Sequence, residues 1–122
     1  MTPQELESRL INFSIQVIEV INSISKCESG LNLANQLSRS GTSAALNYGE
    51  AISAESKKDF IHKMNIALKE LRETHVGLSI LFKAKLYDGQ ESILESAIKE
   101  NDELIAIFVK SVQTARYGKR PI

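Results

Sequence analysis

Apolar residues recur every three or four positions along nearly the whole chain, in four runs separated by short polar breaks. The first run opens on Thr2-Pro3-Gln4-Glu5, which offers a hydroxyl cap, proline at the first helical position and glutamate three residues after the cap. Leu6, Leu10, Phe13, Val17, Ile21 and Ile24 then share one helical face, predicting a helix over residues 3–26. Cys27-Glu28-Ser29-Gly30 breaks it, with Gly30 free to take positive φ. A second helix is expected over 31–54, with Leu33, Leu37, Ala44, Tyr48 and Ala51 as its apolar stripe. Ser56-Lys57-Lys58-Asp59 has capping-box spacing and opens a third helix, 57–86. Its stripe is Phe60, Met64, Ala67, Leu71, Thr74, Leu78 and Phe82. Asp88-Gly89-Gln90-Glu91 has the same spacing and opens a fourth, 90–116, which carries Ile93, Leu94, Ala97, Leu104, Ile105, Phe108 and Val112 and stops at Gly118. No useful length of chain alternates with period two. The pattern predicts an all-α fold, an antiparallel up-down four-helix bundle, as a single domain over 1–122. The short link between the second and third helices also fits one kinked, nearly continuous helix.

The second helix departs from an ordinary surface helix. From Leu31 to Glu55 only Arg39, Glu50 and Glu55 are charged, against 25% for the whole chain. At 100° per residue, Gln36, Arg39, Ser40, Ser43, Asn47 and Glu50 fall in one arc beside the apolar stripe. A helix so poor in Lys and Glu is expected to be covered twice, by its own fold and by a second partner. Its small residues Ser40, Gly41, Ser43, Ala44 and Ala45 are expected to allow close approach at that contact. If the second and third helices turn back on each other near 54–56, Asn47 meets Lys63, Arg39 comes near Glu70 and Glu73, and Glu50 reaches Lys63. Three readings of this stripe stay open. It is a polar network fixing the register of the bundle or of a neighbour, a solvated face, or a ligand or RNA site built on Arg39, Asn47 and Lys63.

Composition narrows the function classes. The 122 residues suit one core, and 43% apolar content without low-complexity tracts predicts a folded chain. A formal net charge of zero removes the simplest electrostatic route to nucleic acid. Basic residues do cluster twice. Lys57, Lys58, His62 and Lys69 lie at the start and outer face of the third helix, and Arg116, Lys119 and Arg120 surround Tyr117. The tail cluster suits a helix C-terminus as it stands. Both clusters also suit RNA contact, through Lys57, Lys58 and Lys69 and through Arg116, Lys119 and Arg120, the latter as cations around an aromatic ring able to stack on a base. Cys27 is the lone cysteine, which predicts a reducing, cytoplasmic setting. No signal peptide is visible in MTPQELESRL, and the longest apolar run, Leu104 to Val109, is too short to span a bilayer.

Catalytic chemistry finds little footing. A di-metal site in a bundle needs inward Glu-x-x-His pairs, and the nearest spacing is a lone Asp59-x-x-His62. His62 is expected in solvent and His75 at the edge of the core. Cys27 has no histidine near it in sequence. No glycine-rich phosphate loop occurs. The residues therefore predict no enzyme, no metal and no cofactor.

The segments QLSRSGTSAALNYGEA and SKKDFIHKMNIALKELRETHVGL resemble the four-helix-bundle family named for intervening sequences in 23S ribosomal RNA genes. The likeness runs from about Leu6 to Val112. It rests on Arg-Ser-x-x-Ser-x-x-x-Asn-x-x-Glu-Ala at Arg39 to Ala51, Lys-Lys-Asp-Phe-x-x-Lys at Lys57 to Lys63, and Lys-Glu-x-x-Glu-Thr at Lys69 to Thr74. The resemblance implies a bundle assembling into a ring, commonly a homopentamer, of unsettled role. Its more distant relatives are accessory proteins of diversity-generating retroelements, which bind RNA and a reverse transcriptase. The chain departs from the family where Tyr-Trp is usual: it has Val76 and Gly77, and no tryptophan. The expectation is a non-enzymatic homo-oligomer with RNA or an RNA-associated protein as partner, and no membrane. The alternatives are a protein–protein assembly module without nucleic acid, or an enzyme with a small-molecule site.

Overall fold

The computed structural model describes residues 1–117. Four helices account for most of them: α1 Pro3–Ile21, α2 Glu28–Ile52, α3 Lys57–Lys83 and α4 Glu91–Arg116. Long-range side-chain pairs fix their directions. Ser14 of α1 donates to the carbonyl of Gly41 of α2. Lys63 of α3 meets Glu50 of α2, and ten residues earlier on α2 Ser40 accepts from Thr74, eleven residues later on α3. Asn101 of α4 donates to the carbonyl of Leu71, and Arg9 of α1 pairs with Glu100. Pairing of residues 23–25 with 86–88 puts the end of α1, the start of α2, the end of α3 and the start of α4 at one end, so successive helices alternate in direction; each helix packs on the next and α4 on α1, and α2 and α3 are distinct helices.

The core is built from the expected periodicity. Leu6, Leu10, Phe13 and Val17 of α1 pack with Leu37 and Tyr48 of α2, Met64, Leu71 and Leu78 of α3, and Leu94, Leu104 and Phe108 of α4. The Tyr48 ring meets Phe108 edge-on, centroids 5.7 Å apart, a favoured aromatic geometry. On α3 the stripe drifts, so that Leu81 is buried and Phe82 exposed. Asn101 is fully buried among the apolar residues of α4.

The ends differ from expectation for local reasons. The Thr2–Glu5 capping box is complete, and the Ser56 hydroxyl caps α3 by accepting from Asp59 N–H. The third box does not form: α4 starts at Glu91, and Gln90 caps it without a side-chain bond. The Asp88 carboxylate instead accepts from Ser25, while Asp88 N–H donates to Ser23 O. These bonds join the α1–α2 and α3–α4 loops, with an isolated bridge between Ile24 and Tyr87. The pairing draws residues 22–26 out of α1. It also ends α3 at Lys83, ahead of Lys85 at φ 56°. Gly30 lies inside α2, because Cys27 caps that helix through Sγ. What position 30 needs is the absent side chain, since a Cβ would collide with Ser25 O.

Candidate functional site

The polar stripe of α2 separates into three parts. Ser40 is buried, with its hydroxyl 2.9 Å from Thr74 Oγ1, and Thr74 Oγ1 also lies 2.9 Å from Glu70 O. Asn47 turns back on its own helix, donating to the Ser43 carbonyl at 2.9 Å and the Ser43 hydroxyl at 3.0 Å. It does not join Lys63. Lys63 meets Glu50 at 2.8 Å, and that hydrogen bond raises the lysine pKa. Arg39 lies 3.8 Å from Glu70 and 4.0 Å from Glu73, with its side chain 66% exposed. No hydrogen bond accompanies the approach to Glu70, whose Oε2 is buried and unpartnered. Burial, then the neighbouring Glu73, pushes the Glu70 carboxyl upward.

The small residues of α2 serve the protomer first. Gly41 touches Val17, where a Cβ would come within 2.6 Å of Cγ1. Ser40 and Ala44 are buried by the chain's own helices. They are unavailable as the free lining of a second contact, which corrects that part of the expectation.

Beside the stripe, α2 and α3 part into a groove of about 510 Å³. Arg39, Lys69 and Arg72 line one stretch, with Glu73 among them, and Leu33, Val76 and Ile80 line the next. Gly77 forms the wall between: its Cβ would stand 2.7 Å from Leu37 Cδ2, so Leu37 already fills the space a large residue would occupy. Val76 is 58% exposed and Ile80 42%.

A second feature was missed from sequence. Ile11, Ile15 and Ile18 are 50%, 49% and 46% exposed on the outer face of α1. Their i, i+4, i+7 spacing makes a continuous ridge. Leu46, 69% exposed, points outward from the neighbouring α2. The available signal was a run from Leu10 to Ser25 whose sole charge is Glu19.

The basic clusters are redistributed. Lys57 and Lys58 are exposed at the start of α3, and Arg116 and Tyr117 are exposed at the end of α4. The up-down topology puts both at the same end of the bundle. Lys69 is remote, about 18 Å along the axis at 1.5 Å per residue, and belongs to the groove. Lys119 and Arg120 lie outside the described residues. His62 is exposed, and His75 Nε2 lies 2.8 Å from Asp102 across α3 and α4. Among the described residues no cluster of three His, Cys, Asp or Glu could hold a metal. No helix among them is long and apolar enough to cross a membrane.

A crystal structure of a protein of unknown function from the S23 ribosomal protein family of Bacteroides thetaiotaomicron is similar to this chain. It is 27% identical, with a TM-score of 0.81 over 93% of this chain and 100% of that one. No curated protein matches. The family model for 23S rRNA-intervening sequence proteins matches residues 5–110, a span that includes most of α1, all of α2 and α3 and most of α4. This chain therefore belongs to the 23S rRNA-intervening sequence protein family.

Proposed function

We propose that this protein is a non-enzymatic, homo-oligomeric scaffold, a pentamer in keeping with the resemblance, that holds RNA at one end of its bundles. The observation that carries the assembly is the row of exposed apolar residues on the outer faces of α1 and α2. Three isoleucines and Leu46 stand in water there on a small chain, which is what an unfilled subunit contact looks like. The role in RNA binding draws on Lys57, Lys58 and Arg116, exposed at one end beside Tyr117. A neutral chain gains avidity when a ring repeats such a patch in each subunit, and each neutralised phosphate adds a salt-dependent increment.

Light scattering tests the assembly: a mass of several chains is expected, and a single-chain mass across concentrations overturns it. Retention of a single-stranded RNA probe tests the second part. Joint reversal of Lys57→Glu, Lys58→Glu and Arg116→Glu should weaken binding at low salt by about 10-fold or more. Absence of wild-type retention at about 50 mM salt removes RNA and leaves a protein–protein assembly module.

A further inference from the structure

We propose that the α2–α3 groove is a binding site for a carboxylate amphiphile, a single anionic head on an unbranched apolar chain, with the head at Arg39 and Arg72 and the chain along Val76 and Ile80. Such a site stands apart from the assembly surface and from the basic end put forward above.

The groove is graded along its length. The Glu50–Lys63 and Ser40–Thr74 bonds set the register of α2 against α3, and Arg39 approaches Glu73 at 4.0 Å. Arg39 and Arg72 therefore stand at nearly one height, with Lys69 almost a turn before Arg72 on α3. Leu33, Val76 and Ile80 line the stretch beyond, toward the end of the bundle where the α1–α2 and α3–α4 loops pair. From Arg72 to Ile80 the axial distance is about 12 Å at 1.5 Å per residue. An extended chain of about ten carbons, with C–C bonds near 1.5 Å, spans the same length.

The charges suit a monoanion. Arg39, Lys69 and Arg72 line the groove with one carboxylate, Glu73. Glu70 stands 3.8 Å from Arg39 with its Oε2 buried and unpartnered. Three cations against these two carboxylates leave one positive charge. Arg39 hydrogen-bonds to neither carboxylate, and among the described residues Lys69 and Arg72 make no ion pair. A guanidinium fork matches a carboxylate through two parallel hydrogen bonds.

The other stretch suits a chain. Val76 and Ile80 are 58% and 42% exposed, so methylenes laid on them remove apolar surface from water on both sides. Leu37 lies beneath Gly77, where a Cβ would meet its Cδ2 at 2.7 Å, so the floor there is low and apolar. The volume of about 510 Å³ is that of a small-molecule site, about 300–1,000 Å³.

Larger occupants match less well. Among the described residues no aromatic ring lines the groove for a base to stack on, and the cations stop at one end instead of following a phosphate backbone. A second copy laid alongside without axial shift brings the exposed isoleucines of α1 to the height of Lys69 and Arg72, which leaves the apolar stretch uncovered.

The experiment titrates the full chain with decanoate by isothermal calorimetry. Saturable binding is expected below about 1 mM. Decyltrimethylammonium, the same chain with a cationic head, should bind about 10-fold more weakly or worse, because the charged hydrogen bonds are lost. Hexanoate should lose a similar factor through its missing methylenes, about 10-fold or more. Arg72→Ala and Val76→Asp change exposed positions, and circular dichroism with thermal melting verifies that both variants fold. Each should weaken decanoate by about 10-fold or more. Lys110→Ala, which removes an exposed cation on α4, should leave binding unchanged. Absence of saturable decanoate binding by the wild type overturns the proposal. So does binding that decyltrimethylammonium matches, that Arg72→Ala and Val76→Asp leave unchanged, or that Lys110→Ala weakens equally. Without decanoate binding, loss of RNA retention in Arg72→Ala assigns the groove to RNA, and a fall of Val76→Asp to single-chain mass assigns it to a second copy.

Discussion

Gly41 and Gly49 sit two turns apart on α2 and have opposite roles. Gly41 lets α2 close on Val17 of α1, with a Cβ there only 2.6 Å from Cγ1. The nearest atom to a Cβ at Gly49 is Glu7 Oε2 at 3.9 Å. Gly41→Ala should destabilise the protein by about 1–3 kcal/mol through overpacking. Gly49→Ala should stabilise it by about 0.4–1 kcal/mol by restricting the unfolded chain. Urea denaturation of the two variants separates these outcomes. Glu70 makes a pH-dependent case. Its folded pKa is raised by burial and by Glu73, so the folded state binds its proton more tightly than the unfolded chain does. Stability is therefore lost as pH rises through the window above the unfolded carboxylate value of about 4.3. Glu70→Gln should raise the melting temperature at neutral pH and bring no gain below about pH 4.

Among neighbouring helices, α1 and α4 touch least. Their junction is tied by Arg9, whose guanidinium donates to Glu100 at 2.6 and 3.0 Å, and the bond to Glu100 raises the arginine pKa. Both side chains keep some exposure to water, so a double-mutant cycle with Arg9→Ala and Glu100→Ala should give a coupling of about 0.5–1 kcal/mol, reduced by added salt. The helix ends show why boundaries were harder to read than stripes. Thr2 and Ser56 cap through bonds within a four-residue window, which sequence spacing contains. Asp88 has the same spacing to Glu91, yet its carboxylate is engaged by Ser25, 63 residues away. A local motif loses to a partner that only the closed bundle supplies.

At the scale of the molecule, four amphipathic runs with short links leave one economical packing, so the bundle followed from the sequence pattern. The candidate surfaces did not follow as directly. Periodicity identifies which residues face inward but treats the remaining arc as one solvent side. The structure divides that arc into a ridge, a groove and a basic end. It also separates Lys69 from Lys57 and Lys58 and gives it to the groove, because position along the axis decides which cations act together.

The chain's own order of apolar residues, caps and charges determined four helices, their approximate extents and the pairing of Glu50 with Lys63, since all of these arise from spacing along one helix or across one short turn. Only the tertiary structure decided that Ser40, Gly41 and Ala44 are used up inside the protomer and that Ile11, Ile15 and Ile18 are left in water. Burial depends on which neighbour covers a face, and that neighbour lies far away in sequence.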